Sequence, residues 1–571
     1  MLASARDTTS PTFKWRPYQA HALDAGARLF TEPGCNPIVV IPTGGGKGPL
    51  SAEFSRRYIL STGKRVIVAT HVKELVQQNY NQIRRVAPHL NAGIFSASLG
   101  RKDRHGQVTI ANVQSIASHA RSFKNVGLLI IDEAHLLQHG EDGQYHQLIK
   151  GLRSISPDLI VLGLTATPWR LNSGNLIEPF KGVEPLFNEV AYEIGIAELV
   201  ADGYLTRIVP RSTKVRQNTT GVRRAAGEFA PKELNEAVNV DELNIAITDE
   251  VIDAAEGRKA ILDFCVGIDH AERVAKTYND RGIPAAFVSG DMAAAERDRI
   301  INSFKAGRTR VLANCGILTT GFDHPAVDCI VHRRPTNSPG LFLQITGRGT
   351  RVVYAEGYDL ETREGRLAAI AAGGKPDCLM LDFAQNTMRH GLIDSVRGIH
   401  KKGKEADASS TIKECFCGVI NARDAQFCSG CGSEFPTKLG GAPTAAEREA
   451  KLHKSNTAEA VMNENAVEFQ VLGMRYSRHT KEGAPDSFKV SFTVPGEPWP
   501  ISVWWLFNAE GWGKKTARLN WRKFTDGGKP PNSVDEAIAR AQELKYPARI
   551  WASRRGSFWT IEGMSFDHYQ K

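Results

Sequence analysis

A glycine-rich segment at residues 42–48 carries the residue types best suited to chemistry in this chain. It follows an apolar run at 38–41 and precedes a segment with helical character. Backbone N–H groups of such a loop point at phosphate oxygens, a lysine reaches the β- and γ-phosphates, and the helix adds its positive end. A plain glycine turn before a helix is the alternative. The pattern predicts a phosphate site formed by Thr43, Gly44, Gly45, Gly46, Lys47 and Gly48.

Gly48 departs from the usual form of this loop. A serine or threonine normally follows the lysine, and its hydroxyl binds Mg²⁺. Mg²⁺ takes six oxygen ligands and usually keeps several waters, so a water can replace one hydroxyl. We therefore expect hydrolysis of a bound nucleotide to be weakened rather than abolished.

Asp132 and Glu133 directly follow a second apolar run, at 128–131. After a phosphate-binding loop this pair suits nucleotide hydrolysis, because one carboxylate holds Mg²⁺ and its neighbour activates the attacking water. A helix N-cap is the alternative. The sequence predicts Asp132 as the metal ligand and Glu133 as the catalytic base.

The elements that must position these residues are short apolar runs alternating with helical patterns. The first half has runs at 66–69, 108–110 and 159–164, and the second half has runs at 260–264, 286–288 and 311–314. This alternation predicts parallel α/β sheets, whose functional loops gather at the carboxyl ends of strands. The polar segments at 70–75, 111–115 and 165–168 each follow such a run.

The second half contains two further polar constellations, at residues 318–323 and 344–351. Arg348 and Arg351 are three residues apart, which predicts that they share one face of a helix. In a two-lobed nucleotide hydrolase they would act as arginine fingers on phosphates held by the first lobe; surface charge is the alternative. The basic stretch at 207–224 is predicted to be a solvated face.

Four cysteines are clustered near the end of the core, in the pattern Cys415-x-Cys417 and Cys428-x-x-Cys431. Four thiolates in two turns suit tetrahedral Zn²⁺ in a closed structural site. Redox-active or incidental thiol pairs are the alternative. Because paired cysteines in a cytosolic protein are more often metal ligands than disulfides, a structural zinc ion is predicted.

Composition predicts a cytoplasmic protein that binds a polyanion. The 571 residues include 42% hydrophobic and 23% charged residues with a net charge of +10, and no apolar run reaches the length of a membrane span. The first residues lack the apolar segment of a secretory signal. Seven of the nine tryptophans lie after residue 465, several beside basic residues. We expect most of them to be core residues and the basic rim to bind DNA or a protein partner.

Together these segments resemble the motifs of superfamily 2 helicases and translocases, over residues 13 to about 395. The matching segments are 16–19, 42–48, 70–75, 111–115, the DEAH sequence at 132–135, 165–168, 319–323 and 344–351. Within that superfamily the chain is most similar to the RadD family of DNA-repair ATPases. That likeness extends to the cysteine cluster and to residues 471–474, 546–549, 556–559 and 566–567.

The resemblance implies a role for each motif residue. Adenine would be recognised by Arg16 and Gln19, and the second lobe would complete the ATP site through Gly321, Asp323, Gln344, Arg348 and Arg351. Nucleic acid would be contacted by Thr70, His71, Gln114, Ser115, Thr319 and Thr320. Coupling between nucleotide and lobe position would fall to His135, Thr165 and Thr167. The implied cofactors are ATP and Mg²⁺ beside the structural Zn²⁺.

The resemblance also implies the fold class and the domain order. We expect an α/β protein with two tandem RecA-like parallel-sheet lobes, a small four-cysteine zinc finger and a C-terminal α+β domain. The expected boundaries are 1–197 for lobe 1, 198–400 for lobe 2, 411–437 for the finger, 438–464 for a linker and 465–571 for the tail domain.

The function implied is an ATP-dependent DNA helicase or translocase in DNA repair or recombination. Single-stranded or branched DNA would be its substrate, and a single-strand-binding protein or a recombinase would be its protein partner. The protein would act at the nucleoid or, if a phage encodes the chain, in host cytoplasm. A DNA-binding scaffold whose ATPase is impaired by Gly48, and the motor subunit of a restriction system, are the alternatives. The motifs alone do not separate DNA from RNA.

Overall fold

The structure is a computed structural model. It describes residues 13–32, 34–137, 143–170, 174–179, 182–225, 227–319, 321–394, 396, 411–423, 425–435, 466–481, 484–497, 500–509, 512–525, 528–555 and 558–566. The predictions made for Thr320 and for a linker at 438–464 lie outside these residues. The chain forms two compact units, one of Met1–Gly195 with Val467–Lys571 and one of Ile196–Ala466.

Lobe 1 is a parallel α/β domain. Its helices are α1 Pro17–Leu29, α2 Lys47–Thr62, α3 Lys73–Val86, α4 Val113–Ile116 and α5 Gln144–Arg153. Its strands are β1 Pro37–Val40, β2 Arg65–Thr70, β3 Ala92–Ser96, β4 Arg101–Lys102, β5 Val108–Asn112, β6 Val126–Asp132, β7 Ile160–Thr165, β8 Trp169–Arg170, β9 Gly174–Asn175 and β10 Glu189–Glu193. Short 3₁₀ turns lie at Ala97–Leu99, Ala117–Ser122 and Ala134–Leu136.

The lobe 1 sheet has the strand order β10-β1-β7-β6-β2-β5-β3-β4. All pairs are parallel except β3 with β4. The central strands are apolar between their ends, and β6 is buried along its whole length, because helices cover both faces of such a sheet. The strands β1, β6 and β7 are adjacent, so the loops that follow them meet at one edge of the sheet.

Lobe 2 repeats this architecture. Its helices are α6 Ile196–Ala201, α7 Pro231–Val238, α8 Asp241–Ala254, α9 Ile268–Asn279, α10 Ala294–Lys305, α11 Pro339–Thr346, α12 Arg363–Ala372 and α13 Asn386–His390. Its strands are β11 Ile208–Arg211, β12 Arg224–Ala225, β13 Glu228–Phe229, β14 Ile261–Phe264, β15 Ala285–Val288, β16 Val311–Asn314, β17 Cys329–His332 and β18 Cys378–Asp382. The six-stranded sheet β11-β18-β17-β14-β16-β15 is parallel.

One part of the basic stretch at 207–224 differs from the prediction of a solvated face. Residues of β11 form the edge strand of the lobe 2 sheet, paired with β18, and Ile208 is buried. Arg207 forms an ion pair with Asp377. Burial alternates along β11: Ile208 and Pro210 are buried, and Val209 lies on the other face with the basic residues. An edge strand commonly buries one face while polar residues cover the other.

The finger begins with a hairpin of β19 Ile412–Glu414 and β20 Ile420–Ala422. It is attached to the edge of lobe 2: Arg211 and Val419 form an antiparallel bridge, and the Ser212 N–H donates to the Gly418 carbonyl at 2.7 Å. The Ser212 hydroxyl also donates to Glu414. The finger therefore belongs to the second unit.

The tail domain is α+β, and it packs with lobe 1. Its strands are β21 Ala466–Gln470, β22 Gly473–Lys481, β23 Ala484–Thr493, β24 Ile501–Trp505, β25 Arg549–Arg555 and β26 Phe558–Ser565. Its helices are α14 Trp512–Phe524 and α15 Val534–Ala539, with a 3₁₀ turn at Ala541–Glu543. The buried Arg522 of α14 forms an ion pair with Glu189 of β10, and Arg518 lies 3.6 Å from the same carboxylate.

The tail tryptophans mostly lie where the sequence analysis expected them. Trp505 and Trp521 are buried in a core that also contains Phe488 and Phe524, and Trp551 is buried beside it. Trp504 instead is 44% exposed. Trp499 lies outside the described residues.

The predicted fold class is confirmed: two RecA-like parallel-sheet lobes are followed by a cysteine cluster and a C-terminal α+β domain. Among the helices that the structure describes, none is long and apolar enough to cross a membrane.

Candidate active site

The glycine-rich segment forms the turn between β1 and α2. Gly44 and Gly46 have φ angles of 88° and 89°, in the left-handed region that favours glycine. A Cβ on Gly46 would lie 2.3 Å from Gln19 Nε2, so a side chain there would also displace the Gln19 amide. The helix α2 begins at Lys47, which points its N-terminal N–H groups at the space above the loop. This is the geometry of a phosphate-binding loop, and we call residues 42–48 the P-loop.

The residues predicted to recognise adenine lie against the P-loop. The Gly45 carbonyl accepts hydrogen bonds from the Tyr18 hydroxyl at 2.8 Å and from Gln19 Nε2 at 3.2 Å. Arg16 Nη1 donates to the Tyr18 hydroxyl at 3.2 Å. Arg16 and Gln19 are thus brought to the nucleotide site, and Tyr18 is a P-loop contact that the sequence analysis did not identify.

The acid pair lies beside the lysine. Asp132 ends β6, and Glu133 follows with a φ of 55°, an uncommon conformation for a residue other than glycine. Lys47 Nζ lies 3.9 Å from Glu133 Oε1 and donates to the Ile41 carbonyl at 3.3 Å. The turn at Glu133 thus places its carboxylate beside the P-loop lysine, directly after Asp132.

Asp132 is completely enclosed. Burial, together with the charge of Glu133, raises the pKa of the Asp132 carboxyl to about 6. Asn79 Nδ2 donates to Asp132 Oδ2 at 2.9 Å, and the Glu133 N–H donates to Asp132 Oδ1 at 3.0 Å. A hard divalent cation such as Mg²⁺ fits this donor set, because a buried carboxylate beside a phosphate site needs positive charge.

The three residues predicted to couple nucleotide and lobe position, His135, Thr165 and Thr167, are connected by hydrogen bonds. His135 Nδ1 lies 3.0 Å from Thr165 Oγ1 at the end of β7, and the Thr165 hydroxyl donates to the Thr167 carbonyl at 2.8 Å. His135 Nδ1 lies 3.4 Å from Glu133 Oε2. A polar chain therefore links the acid loop to the loop after β7.

The predicted nucleic-acid residues of lobe 1 divide into two groups. Gln114 is exposed at the start of α4, and Ser115 Oγ accepts from the Ala97 N–H at 3.0 Å. Thr70 is completely buried at the end of β2, and burial lowers the pKa of His71. The Thr70 side chain therefore does not meet the prediction, because it belongs to the interior of the sheet.

Lobe 2 corrects the predicted placement of the two arginines. The helix α11 ends at Thr346, and Arg348 and Arg351 lie in the turn beyond it, not on one helical face. Gly347 and Gly349 flank Arg348 and favour the end of the helix at Thr346. A Cβ on Gly349 would lie 2.4 Å from Cys378 Sγ. Gln344 remains on α11 and is half-buried.

In lobe 2 the arginines contact the segment at 319–323. Arg348 is buried and donates to the carbonyls of Thr319 and Phe322. Arg351 Nε lies 2.5 Å from Asp323 Oδ1. Thr319 is itself buried, and its hydroxyl donates to the Gly316 carbonyl, so its side chain does not reach a ligand in this arrangement. Gly321 has a φ of 73°, which the turn requires.

The four cysteines of the finger converge. Their sulfur atoms all lie within 4.8 Å of one another, with 3.7 Å between Cys415 and Cys431 and 3.5 Å between Cys417 and Cys428. The edge of a tetrahedron of sulfurs about Zn²⁺ is about 3.8 Å, from a Zn–S bond of about 2.3 Å. The Gly430 N–H donates to Cys428 Sγ at 3.3 Å, as expected for a thiolate ligand. The donor set fits a structural zinc ion.

Asn79 is the main site residue that the sequence analysis missed. It lies on the buried face of α3 with Leu75, Val76, Ile83 and Val86. An asparagine within an apolar helical stripe is a usable signal, because a buried amide needs hydrogen-bond partners. Its partner, Asp132, is 53 residues away, so spacing along the chain does not pair them.

The structure thus brings a phosphate-binding loop, its lysine and an acid pair together in the first of two RecA-like lobes. Two family models match the chain. The one described as Type III restriction enzyme, res subunit, matches residues 12–170, and the one described as Helicase conserved C-terminal domain matches residues 243–353. These matches support a superfamily 2 helicase core and an ATP-hydrolysing enzyme.

Similar proteins come from yeast and from a phage. The putative ATP-dependent helicase IRC3 of Saccharomyces cerevisiae is 27% identical over 355 residues, which are 60% of this chain and 50% of that protein. A 51.5 kDa protein of a Lactococcus phage is 24% identical over 413 residues, 70% of this chain and 78% of that protein. A solved structure described as the ATP-dependent Type ISP restriction-modification enzyme LlaBIII bound to DNA has a TM-score of 0.45 and 14% identity, over 68% of this chain and 29% of that one. The match to the yeast relative thus spans half of its length.

The buried carboxylate makes a prediction about stability. Because the pKa of Asp132 is about 6 in the folded protein and near its ordinary value when unfolded, the folded state binds more protons between these values. This group therefore destabilises the fold above about pH 6, and the penalty shrinks as the pH falls. Without nucleotide or metal, Asp132→Asn should raise the thermal midpoint by several degrees at pH 8 and by about half as much at pH 5.

Scanning calorimetry at both pH values checks this expectation. Asp158→Asn, at an exposed position of the same lobe, is the matched control and should leave the midpoint unchanged at both. An Asp132→Asn variant no more stable than wild type at pH 8 would contradict the assignment.

The cysteine cluster predicts one zinc ion per chain. Cys428→Ser removes a buried thiolate, so it should abolish bound zinc and lower the thermal midpoint, because zinc binding contributes directly to folding of such sites. Elemental analysis of purified protein measures the zinc content. Cys35→Ala, at a buried cysteine of lobe 1, should keep one zinc per chain; zinc retained by Cys428→Ser would show that the cluster is not the site.

Proposed function

We propose that this chain is an ATP-dependent DNA helicase or translocase that moves along or remodels DNA in repair or recombination. The observation that carries the proposal is the meeting of Lys47, Asp132 and Glu133 at the P-loop. The two helicase family matches support the motor, and the resemblance of the tail segments to the RadD family supports repair.

The lobe 1 contacts suggest how hydrolysis begins. Lys47 is held by Glu133 and by the Ile41 carbonyl, and the phosphates of ATP would draw its ammonium away because they carry more negative charge. Glu133, released from Lys47, then accepts a proton from the attacking water. Mg²⁺ held by Asp132 would neutralise charge on the phosphates.

The second lobe would complete the site with Gln344, Arg348 and Arg351. Arg351 Nη1 is buried and has no hydrogen-bond partner among the described residues, so this donor remains for a phosphate oxygen. Arginine fingers contribute roughly 10³–10⁵ in rate, which outweighs the loss of one hydroxyl ligand at Gly48. The chain from Glu133 through His135 to Thr165 and Thr167 would relay the nucleotide state to neighbouring loops.

We propose a nucleic-acid surface on the outer face of the tail sheet. Trp504 of β24 is exposed and lies beside Lys489 of β23 and His479 of β22, with the Lys489 ammonium 5.6 Å from the Trp504 ring centre. Arg475 is exposed on the same face of β22. An exposed aromatic ring among basic residues is the combination that binds single strands.

Two other functions each have one observation in their favour. Gly48 in place of a hydroxyl residue favours a DNA-binding scaffold that hydrolyses ATP poorly. The match of residues 12–170 to a family described as Type III restriction enzyme, res subunit, favours the motor subunit of a restriction system. A scaffold would bind DNA without turnover, and a restriction motor would translocate with a nuclease partner.

ATP hydrolysis by the zinc-replete full-length protein tests the proposal. We expect turnover that single-stranded DNA stimulates more than RNA of the same sequence. Lys47→Ala should lower this turnover at least about 100-fold, because it removes charge from the phosphate site. Lys64→Ala, an exposed lysine after α2, is the matched control and should retain turnover.

Three results would contradict parts of the proposal. DNA binding without turnover would contradict the motor and favour the scaffold. Stronger stimulation by RNA would overturn the DNA assignment. Turnover that survives Lys47→Ala would place hydrolysis outside the P-loop.

The tail surface predicts a loss of single-strand affinity in Trp504→Ala. Stacking contributes about 1–3 kcal/mol per base, so the dissociation constant should rise about five- to 100-fold. Trp504→Phe keeps a ring and should lose much less. Fluorescence anisotropy with labelled single-stranded DNA measures both, and equal affinity of the alanine variant and wild type would rule out this surface.

A further inference from the structure

The space beside Gly48 is occupied by amide side chains of α3. A Cβ on Gly48 would lie 3.1 Å from Gln82 Cγ and 3.8 Å from Asn79 Oδ1. Ser or Thr, the residues usual at this position, would place a hydroxyl within this space. The side chains of α3 thus lie very close to the P-loop. Any side chain at position 48 would require Gln82 to move.

One of these amides also contacts the predicted metal ligand. Asn79 is 4% exposed, and its Nδ2 donates to Asp132 Oδ2 at 2.9 Å. Asn79 Oδ1, on the other end of the same amide, lies toward Gly48. A single side chain therefore spans from Asp132 to the position where a P-loop hydroxyl is missing.

The surroundings indicate that something polar belongs in this space. Gln82 Oε1 is buried and has no hydrogen-bond partner among the described residues. A buried acceptor without a partner is costly, and it signals an unfilled ligand or water position. Asp132, enclosed and facing Asn79, adds a second oxygen to the same region.

We propose that Asn79 replaces the hydroxyl missing at Gly48 and supplies an oxygen ligand for the nucleotide-bound Mg²⁺. A hydroxyl in the P-loop offers both a proton and an oxygen, and a carboxamide offers the same pair of groups. Amide oxygens are hard ligands that suit Mg²⁺. The inference rests on the proposed ATPase, and it assigns to α3 a ligand that the P-loop normally provides.

The proposal explains why Gly48 need not cripple the site. The oxygen comes from a neighbouring helix instead of from the P-loop, and glycine is the residue that lets this helix approach. Conversely, Gly48→Ser alone introduces a redundant hydroxyl and displaces Gln82, so it should bring no gain in metal affinity.

Metal binding tests the proposal directly, without turnover. Mn²⁺ reports on the Mg²⁺ site, and electron paramagnetic resonance measures its affinity for the full-length protein saturated with ADP. Asn79→Ala should weaken Mn²⁺ about tenfold or more, in the range found when groups around a metal site are removed. Gln77→Ala, at an exposed amide on the same helix, is the matched control and should change the affinity less than threefold.

Two further variants separate a metal ligand from a residue that only orients Asp132. Asn79→Asp keeps an oxygen and loses the N–H donor. If Asn79 is a ligand, this variant should bind Mn²⁺ at least as tightly as wild type. If Asn79 only donates to Asp132, the variant should bind Mn²⁺ as weakly as Asn79→Ala does. Gly48→Ser in the Asn79→Ala background should restore most of the affinity, because the hydroxyl then returns to its usual place.

The outcomes distinguish failure of the proposed ATPase from failure of the proposed role of Asn79. Wild-type protein that binds neither ADP nor Mn²⁺ with ADP would overturn the proposed ATPase. Normal wild-type binding with an unchanged Asn79→Ala affinity, or with equal losses in Asn79→Ala and Gln77→Ala, would overturn only the role of Asn79. If Asn79→Ala does not fold by circular dichroism, the affinity of Asn79→Asp decides, and weakened binding by that folded variant rejects the proposal.

Discussion

Asp132 is a carboxylate enclosed at the end of a central strand, and the surrounding structure is arranged so that it can carry charge. A buried carboxylate is unfavourable unless cations or N–H donors face it. Here the Asn79 amide and the Glu133 N–H contact its two oxygens, and Lys47 lies near through its interaction with Glu133. The position remains costly without ligand, which is typical of functional sites.

Other features of lobe 1 shape the loops around Asp132. Glu133 adopts a left-handed conformation directly after Asp132, and Gly46 has a φ of 89°, which favours glycine. Tyr18 and Gln19 hold the Gly45 carbonyl, so the first helix fixes the P-loop before a nucleotide binds. The accessory parts are distributed between the two units: the finger is attached to lobe 2 and the tail domain packs with lobe 1.

The sequence predicted the parts of this structure that local patterns encode. The strands 66–69 and 128–131, the P-loop and the cysteine cluster depend on residues close together in the chain, and the structure has each of them. Helical spacing was a poor guide at Arg348 and Arg351, because Gly347 and packing at Gly349 end the helix first. The role of Asn79 depends on a contact with a distant strand, and the burial of Thr70 depends on the helices that cover its sheet. Neither can be read from spacing along one segment.

The proposed motor requires nucleotide at the P-loop to change the relation of the two lobes. Single-molecule energy transfer between a dye at Leu60, exposed on lobe 1, and a dye at Ile245, exposed on lobe 2, measures this most directly. The account predicts that a non-hydrolysable ATP analogue with Mg²⁺ and single-stranded DNA shifts the transfer efficiency, and that Lys47→Ala abolishes the shift. An efficiency that ignores nucleotide, or a shift that persists in Lys47→Ala, would contradict it.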